Sequence, residues 1–302
     1  MIDKPAIVIT GAGGQLGLTL QQLWPASRLN QHYRLLPLTS AELDIGDPEA
    51  VHSVLGKENV ASIVNAAAYT AVDAAEDNRD AAFWVNHRGP ALLADWSAQN
   101  RSRLLHVSTD FVFDGTSKQP YKPDDDPLPI GVYGSSKLAG EEEIQSRLPE
   151  ASVIVRTSWL YSPFRANFVK TMLRLMQERD SLSVVADQIG SPTSSFSLAG
   201  LLLAVLQHES FTGIYHWCDG ATISWYEFAV AIQEEALELK LLDKEIPIEP
   251  IPTEEYPTPA KRPAYSVLDP GQAEADFVFP HQDWRANLRG ILGHLAQLDE
   301  SN

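Results

Sequence analysis

Five short, almost wholly apolar runs recur through the first half of the chain: AIVIT (6–10), YRLLPL (33–38), ASIVNAA (61–67), RLLHVST (103–109) and SVIVRTS (152–158). They are continuously apolar rather than alternating, so each strand must be covered on both faces, and a parallel sheet between two helical layers does that. Helical patterns fill the intervals, and this half reads as a doubly wound, Rossmann-like α/β sheet. After Trp159 the pattern loosens into an amphipathic helix, NFVKTMLRLMQERD (167–180), a strand candidate, SLSVVAD (181–187), and a turn region, DQIGSPTS (187–194). GIYHWCD (213–219) can add one more strand to the sheet. The expected division is a cofactor domain of residues 1–158 plus 184–220 and a smaller α+β substrate domain of 159–183 plus 221–302. Pro247–Pro263 holds six prolines and reads as a long functional loop.

With 40 acidic against 23 basic residues the 302-residue chain carries a net charge of −17. Such a charge repels a phosphate backbone, so neither nucleic acid nor an anionic membrane is expected as partner, and an anionic ligand needs a local basic pocket. The longest apolar stretch, LAGLLLAVL (198–206), is far short of the roughly 18 residues of a membrane span and reads as a buried helix. Cys218 is the single cysteine, which excludes a disulfide within the chain and makes the cytoplasm the economical location. The N-terminal apolar run goes straight into glycines, as a buried strand does and a signal peptide does not.

Those glycines are placed for chemistry. VITGAGGQLGLTLQQLW (8–24) follows a strand and opens a helix, with Gly11, Gly14 and Gly17 evenly spaced. Glycine permits the tight turn and the approach of backbone N–H groups to a pyrophosphate, and the last one lets helix and strand pack closely. At the end of the second run, where an NAD site offers an acid to the ribose, stand Thr39 and Ser40. No carboxylate opposes a 2′-phosphate there, and no Arg is adjacent to grip one. Asp44 and Ile45 can flank the adenine, and Asp44 reads equally well as a helix N-cap or turn residue.

In VYGSSKLAGE (132–141), Tyr133 and Lys137 are four residues apart, on one face of a helix. A tyrosine titrates near ~10, and a nearby ammonium is expected to lower that value and ease proton donation. Thr109 ends the RLLHVST strand, where open α/β sheets place their ligands, and can hydrogen-bond a carbonyl that is becoming an oxyanion. Asp110 reads as a substrate or loop anchor. Phe168, Met172, Leu175 and Met176 form a helical stripe that reads as packing. The acidic run Asp124–Asp126 reads as a solvated loop, and the eight histidines include no pair with zinc-ligand spacing.

The glycine loop, NAAAYTAVDAAE (65–76), STDFVFDG (108–115) and VYGSSKLAGE together resemble the extended short-chain dehydrogenase/reductases. RTSWLY (156–161), NFVKTMLRL (167–175), DQIGSPT (187–193) and YPTPAKRPAYSVLD (256–269) resemble the dTDP-4-dehydrorhamnose reductase family in particular. That resemblance implies reduction of the 4-keto group of dTDP-4-dehydro-L-rhamnose by NADPH or NADH, with Tyr133 as general acid and Lys137 on the ribose hydroxyls. It also implies Gly14, Gln15 and Leu16 at the pyrophosphate, Asp44 and Ile45 at the adenosine half, and Ala68, Tyr69 and Thr70 at the far side of the cofactor. Val72 and Trp159 would touch the sugar nucleotide, with Trp159 equally readable as core, and Arg262 would supply charge for the diphosphate. Related dehydratases carry Asp-Glu after the active-site Thr, whereas Thr109 is followed by Asp110 and Phe111, which favours plain reduction. A 4-epimerase, another sugar-nucleotide reductase and a non-catalytic cofactor-binding subunit stay as alternatives. Some members hold magnesium at a homodimer contact through carboxylates. The resemblance thus implies magnesium and a homodimer, but Leu18, Thr19 and Leu20 and then Ser194, Ser195 and Phe196 stand at those places with no carboxylate among them, so no metal ligands are assigned.

Overall fold

The computed structural model describes residues 4–208, 210–280 and 283–299. Its strands are β1 (Ala6–Thr10), β2 (Arg34–Leu38), β3 (Val60–Asn65), β4 (Arg103–Thr109), β5 (Ser152–Thr157), β6 (Leu160–Tyr161), β7 (Leu182–Val185), β8 (Ile189–Gly190), β9 (Thr193–Ser194), β10 (Gly213–Trp217), β11 (Ile223–Ser224) and β12 (Ile248–Ile251). The helices are α1 (Gln15–Leu23), α2 (Pro48–Leu55), α3 (Val72–Asp77), α4 (Arg79–Phe83), α5 (Gly89–Asn100), α6 (Val132–Arg147), α7 (Phe168–Glu178), α8 (Ser195–Gln207), α9 (Trp225–Glu238), α10 (Gly271–Phe277) and α11 (Trp284–Asp299). Six strands form one parallel sheet in the order β10-β5-β4-β3-β1-β2, and the five apolar runs are its members with GIYHW as the sixth.

The apolar strand residues divide between two cores, as coverage on both faces demands. One core gathers Ile7, Ile9, Val153 and Val155 with Leu16 and Leu20 of α1 and the LAGLLLAVL stretch of α8. The other gathers Val8, Ile63 and Ile154 with residues of α2, α5 and α6. A third core, around Val169, Met172, Met176, Phe228 and Ile232, gathers residues of α7, α9, α11 and β7. Its helices start on local signals: the Asn167 side chain accepts from Lys170 N–H at 3.2 Å, and Ser224 with Glu227 makes a reciprocal capping box.

The proline-rich stretch departs from expectation. Ile248–Ile251 is a strand, paired in parallel with β7, while residues 252–263 run as the expected loop around one short 3₁₀ turn. Pro250 is tolerated because β12 is an edge strand with a single partner. Since β7 pairs with β12 and not with the large sheet, we propose that the smaller domain keeps all of β7 and that the chain returns to the larger one only after Val185.

Candidate active site

β1 lies between β2 and β3, so the winding reverses there, and ligands of open α/β sheets bind outside the carboxyl ends of the strands at such a point. A cleft of about 1400 Å³ opens at this place, walled on its other side by α7 and β7. Gly11 turns the chain out of β1 with φ +67°, and a Cβ on it would lie 2.7 Å from the backbone of Ala66 and Ala67 at the end of β3. Gly14 precedes α1 without any side-chain cap, which leaves the first-turn N–H groups open to an anion in the cleft. These features fit the pyrophosphate of a dinucleotide.

Among the expected cofactor residues, Gly11, Gly14, Gln15, Leu16, Ala68, Tyr69 and Thr70 all line the cleft. Gly17 does not, and its part is packing: a Cβ there would meet Ala12 Cα and Gly11 O at 2.6 Å. Asp44 and Ile45 are not cleft-lining residues either. The Asp44 carboxylate accepts from Gly46 N–H at 2.9 Å and from Trp84 Nε1–H at 3.2 Å, its turn reading, and Ile45 is buried against Gly89. Thr39 and Ser40 occupy the cleft wall beyond β2.

The catalytic helix α6 can lie so close because of its small residues. A Cβ on Gly134 would sit 2.1 Å from Phe111 O, and one on Gly140 would sit 2.1 Å from Asn86 O. The helix is tied inward by a buried ion pair, Arg156–Glu141 at 2.7 Å, with both side chains within 2% of full burial. Tyr133, Lys137, Thr109 and Asp110 all line the cleft. Burial pushes the Tyr133 phenol up to about 12, while its hydrogen bond with Thr109 pulls the other way. The expected lowering by Lys137 is therefore absent, for a geometric reason. Lys137 Nζ turns to β4, donating to Val107 O at 2.7 Å and meeting His106 Nε2 at 3.1 Å.

That contact ends a buried polar chain. Asn65 Oδ1 accepts from Ala67 N–H at 3.2 Å and from the Thr10 hydroxyl at 2.7 Å, which orients its amide so that Nδ2 donates to His106 Nδ1 at 2.9 Å. The neutral His106 ring then carries its proton on Nε2, facing Lys137, and the pair is satisfied when Lys137 accepts as the free amine. Burial acts in the same direction, drawing Lys137 down to about 8 against the pull of Glu141 and His106 well below its ordinary value. Asp110, also buried, is pushed up to about 6 despite hydrogen bonds from Ser266 and Thr109.

On the substrate side Val72, Trp159 and Arg262 line the same cleft. Trp159 holds φ +46°, lies over Gly190, and stacks on Trp225 with ring centroids 3.5 Å apart, so it is wall and packing at once. Arg262 is already paired with Asp73, at 2.7 Å. In the α7 stripe Met176 is core, whereas Phe168, Met172 and Leu175 reach the cleft as well. Three residues escaped sequence reading. Asn86, on a π-helical turn at Trp84–Arg88, bonds both backbone groups of Tyr69 and the Ser136 hydroxyl. Arg165 reaches the glycine loop from the far side of the chain. His106 had one visible signal, a polar residue inside an apolar strand.

The residues at the magnesium position do not fit that ion. Thr19 donates to Ser195 Oγ at 2.8 Å inside the α1–α8 contact, and both side chains are fully buried. Two buried hydroxyls bonded to one another and to Gln15 O are not the carboxylate-rich oxygen set of a divalent cation. No helix among the described residues is long and apolar enough to cross a membrane.

Comparison with known proteins gives the same answer from outside. The family model described as the RmlD substrate binding domain matches residues 5–297. The dTDP-4-dehydrorhamnose reductase of Aggregatibacter actinomycetemcomitans is 43% identical over 293 residues, covering 95% of this chain and 98% of its own. Crystal structures of dTDP-4-dehydrorhamnose reductases superpose over nearly the full length. The Clostridium acetobutylicum protein does so with a TM-score of 0.89 at 36% identity, covering 96% of this chain and 99% of its own. The Bacillus anthracis protein, in complex with NADP, does so with a TM-score of 0.87 at 37% identity, covering 95% and 98%. With its winding order, glycine loop and Thr–Tyr–Lys cleft in agreement, the chain belongs to the dTDP-4-dehydrorhamnose reductase family.

Proposed function

We propose that the chain reduces the 4-keto group of dTDP-4-dehydro-L-rhamnose to give dTDP-L-rhamnose, using NADPH or NADH. The observation that carries this reading is the meeting of Thr109, Tyr133 and Lys137 in the cleft that also receives the uncapped end of α1. The bound nicotinamide supplies the hydride. Tyr133, protonated at neutral pH because burial holds its phenol near about 12, donates the proton to the new alkoxide. The Thr109 hydroxyl, which donates to Asp110 Oδ1 at 3.1 Å, turns to the developing oxyanion, and Lys137 holds the ribose hydroxyls. Ser266 keeps Asp110 in place beside the phenol, as an anchor rather than a donor. Val72, Trp159 and Arg262 take the sugar nucleotide.

The test is loss of nicotinamide absorbance on adding enzymatically prepared dTDP-4-dehydro-L-rhamnose, with each cofactor in turn. Tyr133→Phe should lower kcat by ~10²–10⁴-fold, the usual worth of a positioned proton donor. No oxidation with either cofactor overturns the substrate, and a fully active Tyr133→Phe overturns the mechanism.

A further inference from the structure

We infer that Arg165, together with Thr39 and Ser40, forms the subsite for the 2′-phosphate of NADPH and gives the chain a preference for NADPH over NADH. This rests on the reading of the cleft as a nicotinamide dinucleotide site and assigns a part of it that the sequence left open. Thr39 and Ser40 follow β2 directly, where an acid would mark an NAD site and where the adjacent residues offer no cation. The fold brings the cation from 126 residues further along the chain, since Arg165 Nε donates to Gly13 O at 2.7 Å. A Cβ built on Gly13 would lie 3.6 Å from Arg165 Nη2 and equally 3.6 Å from Thr39 Cγ2, so guanidinium and hydroxyl-bearing side chain flank one point above the glycine loop.

The loop carrying Arg165 is held there. Ser162 and Asn167, on either side, both donate to Gln15 Oε1, at 2.8 and 3.0 Å, strapping residues 162–167 across the start of α1. Arg165 itself sits at φ +56°, a left-handed conformation that costs a non-glycine residue energy and persists where surroundings enforce it. Among the described residues no carboxylate pairs with it, and its Nη groups remain for a ligand. The other cations lining the cleft stand at other parts of it: Lys137 bonds Val107 O beside Thr109 and Tyr133, Arg262 pairs with Asp73 on the substrate side, and Arg179 follows α7. Glu42 does come near Thr39, but its Oε2 accepts from the Thr39 N–H and hydroxyl at 2.8 Å each, and it does not line the cleft. A phosphate monoester beside a free guanidinium makes the charge-assisted pair for which arginine is suited.

Dissociation constants of full-length wild type and Arg165→Gln for NADPH, NADH, 2′,5′-ADP and 5′-AMP, measured by calorimetry, test this directly. Loss of the pair should weaken NADPH and 2′,5′-ADP by ~10–100-fold and change NADH and 5′-AMP by less than about threefold. Equal weakening of NADPH and NADH would place Arg165 on the pyrophosphate and overturn the assignment, as would no change in either. Thr39→Glu approaches the subsite from its other wall, keeps the argument testable whatever Arg165→Gln does to the fold, and should weaken NADPH selectively. If NADPH binding survives Thr39→Glu as well as NADH binding does, the subsite lies elsewhere. No sugar substrate is needed, so these failures leave the reductase reading standing, whereas wild type binding neither dinucleotide would remove both.

Discussion

Asp110 shows how one buried side chain carries a measurable signature. Its carboxyl is raised from 3.8 to about 6, chiefly by burial, so the folded state holds the proton more tightly than the unfolded chain does. The protonated form therefore contributes stability that is fully present below about pH 4 and is lost as pH rises through about 6. Urea unfolding of wild type should show stability falling across that window, and Asp110→Asn should flatten this component. An unchanged slope in the variant would show that Asp110 is not the group responsible. That Tyr133 and Lys137 share a face was legible from their spacing, because a helix puts i and i+4 side by side, and the resemblance to a reductase family gave that pair its chemistry. Their electrostatics were not legible, because Lys137 bonds Val107 O and His106 from a different strand, and burial rather than the neighbouring amine dominates the phenol.

At the scale of the element, α6 is held where it is by what its sequence omits and by one buried pair. Gly134 and Gly140 remove the Cβ atoms that would strike Phe111 O and Asn86 O, and Glu141 reaches Arg156 of β5. Breaking a buried pair strands a charge, so Glu141→Gln should cost about 3–5 kcal/mol. Denaturant midpoints would check it, and a loss below about 1 kcal/mol would mean that the Arg156 charge finds another partner in the fold, with His216 the neighbour in reach. The five strands of the large sheet were readable because burial on both faces leaves a continuous apolar run. β12 was not, since a strand with a proline at its centre and one partner shows neither periodicity nor apolar continuity. The α7 stripe was read as packing, and it also walls the cleft, because one helix face can serve a core and a ligand at once.

For the whole molecule, the cleft is lined from the β1, β3 and β4 ends of the large sheet and from α7 and β7 together, so a ligand in it touches both. A ligand that binds only the folded state stabilises it by RT ln(1 + [L]/Kd), about 2.7 kcal/mol at a hundred times Kd. NADPH at that excess should raise the thermal midpoint accordingly, and no shift with NADPH or NADH would contradict the dinucleotide site. By itself the sequence determined a doubly wound sheet, a glycine turn after its first strand and a shared helix face for Tyr133 and Lys137, since these follow from local rules: apolar continuity, glycine spacing and helical periodicity, while the family resemblance supplied the roles of Thr109, Tyr133 and Lys137. Only the tertiary structure decided where the charges lie, setting Arg165 over Gly13, Arg262 on Asp73 and Lys137 on His106. Those partners are separated by 31 to 189 residues, and contacts over such distances arise from packing that no local pattern encodes.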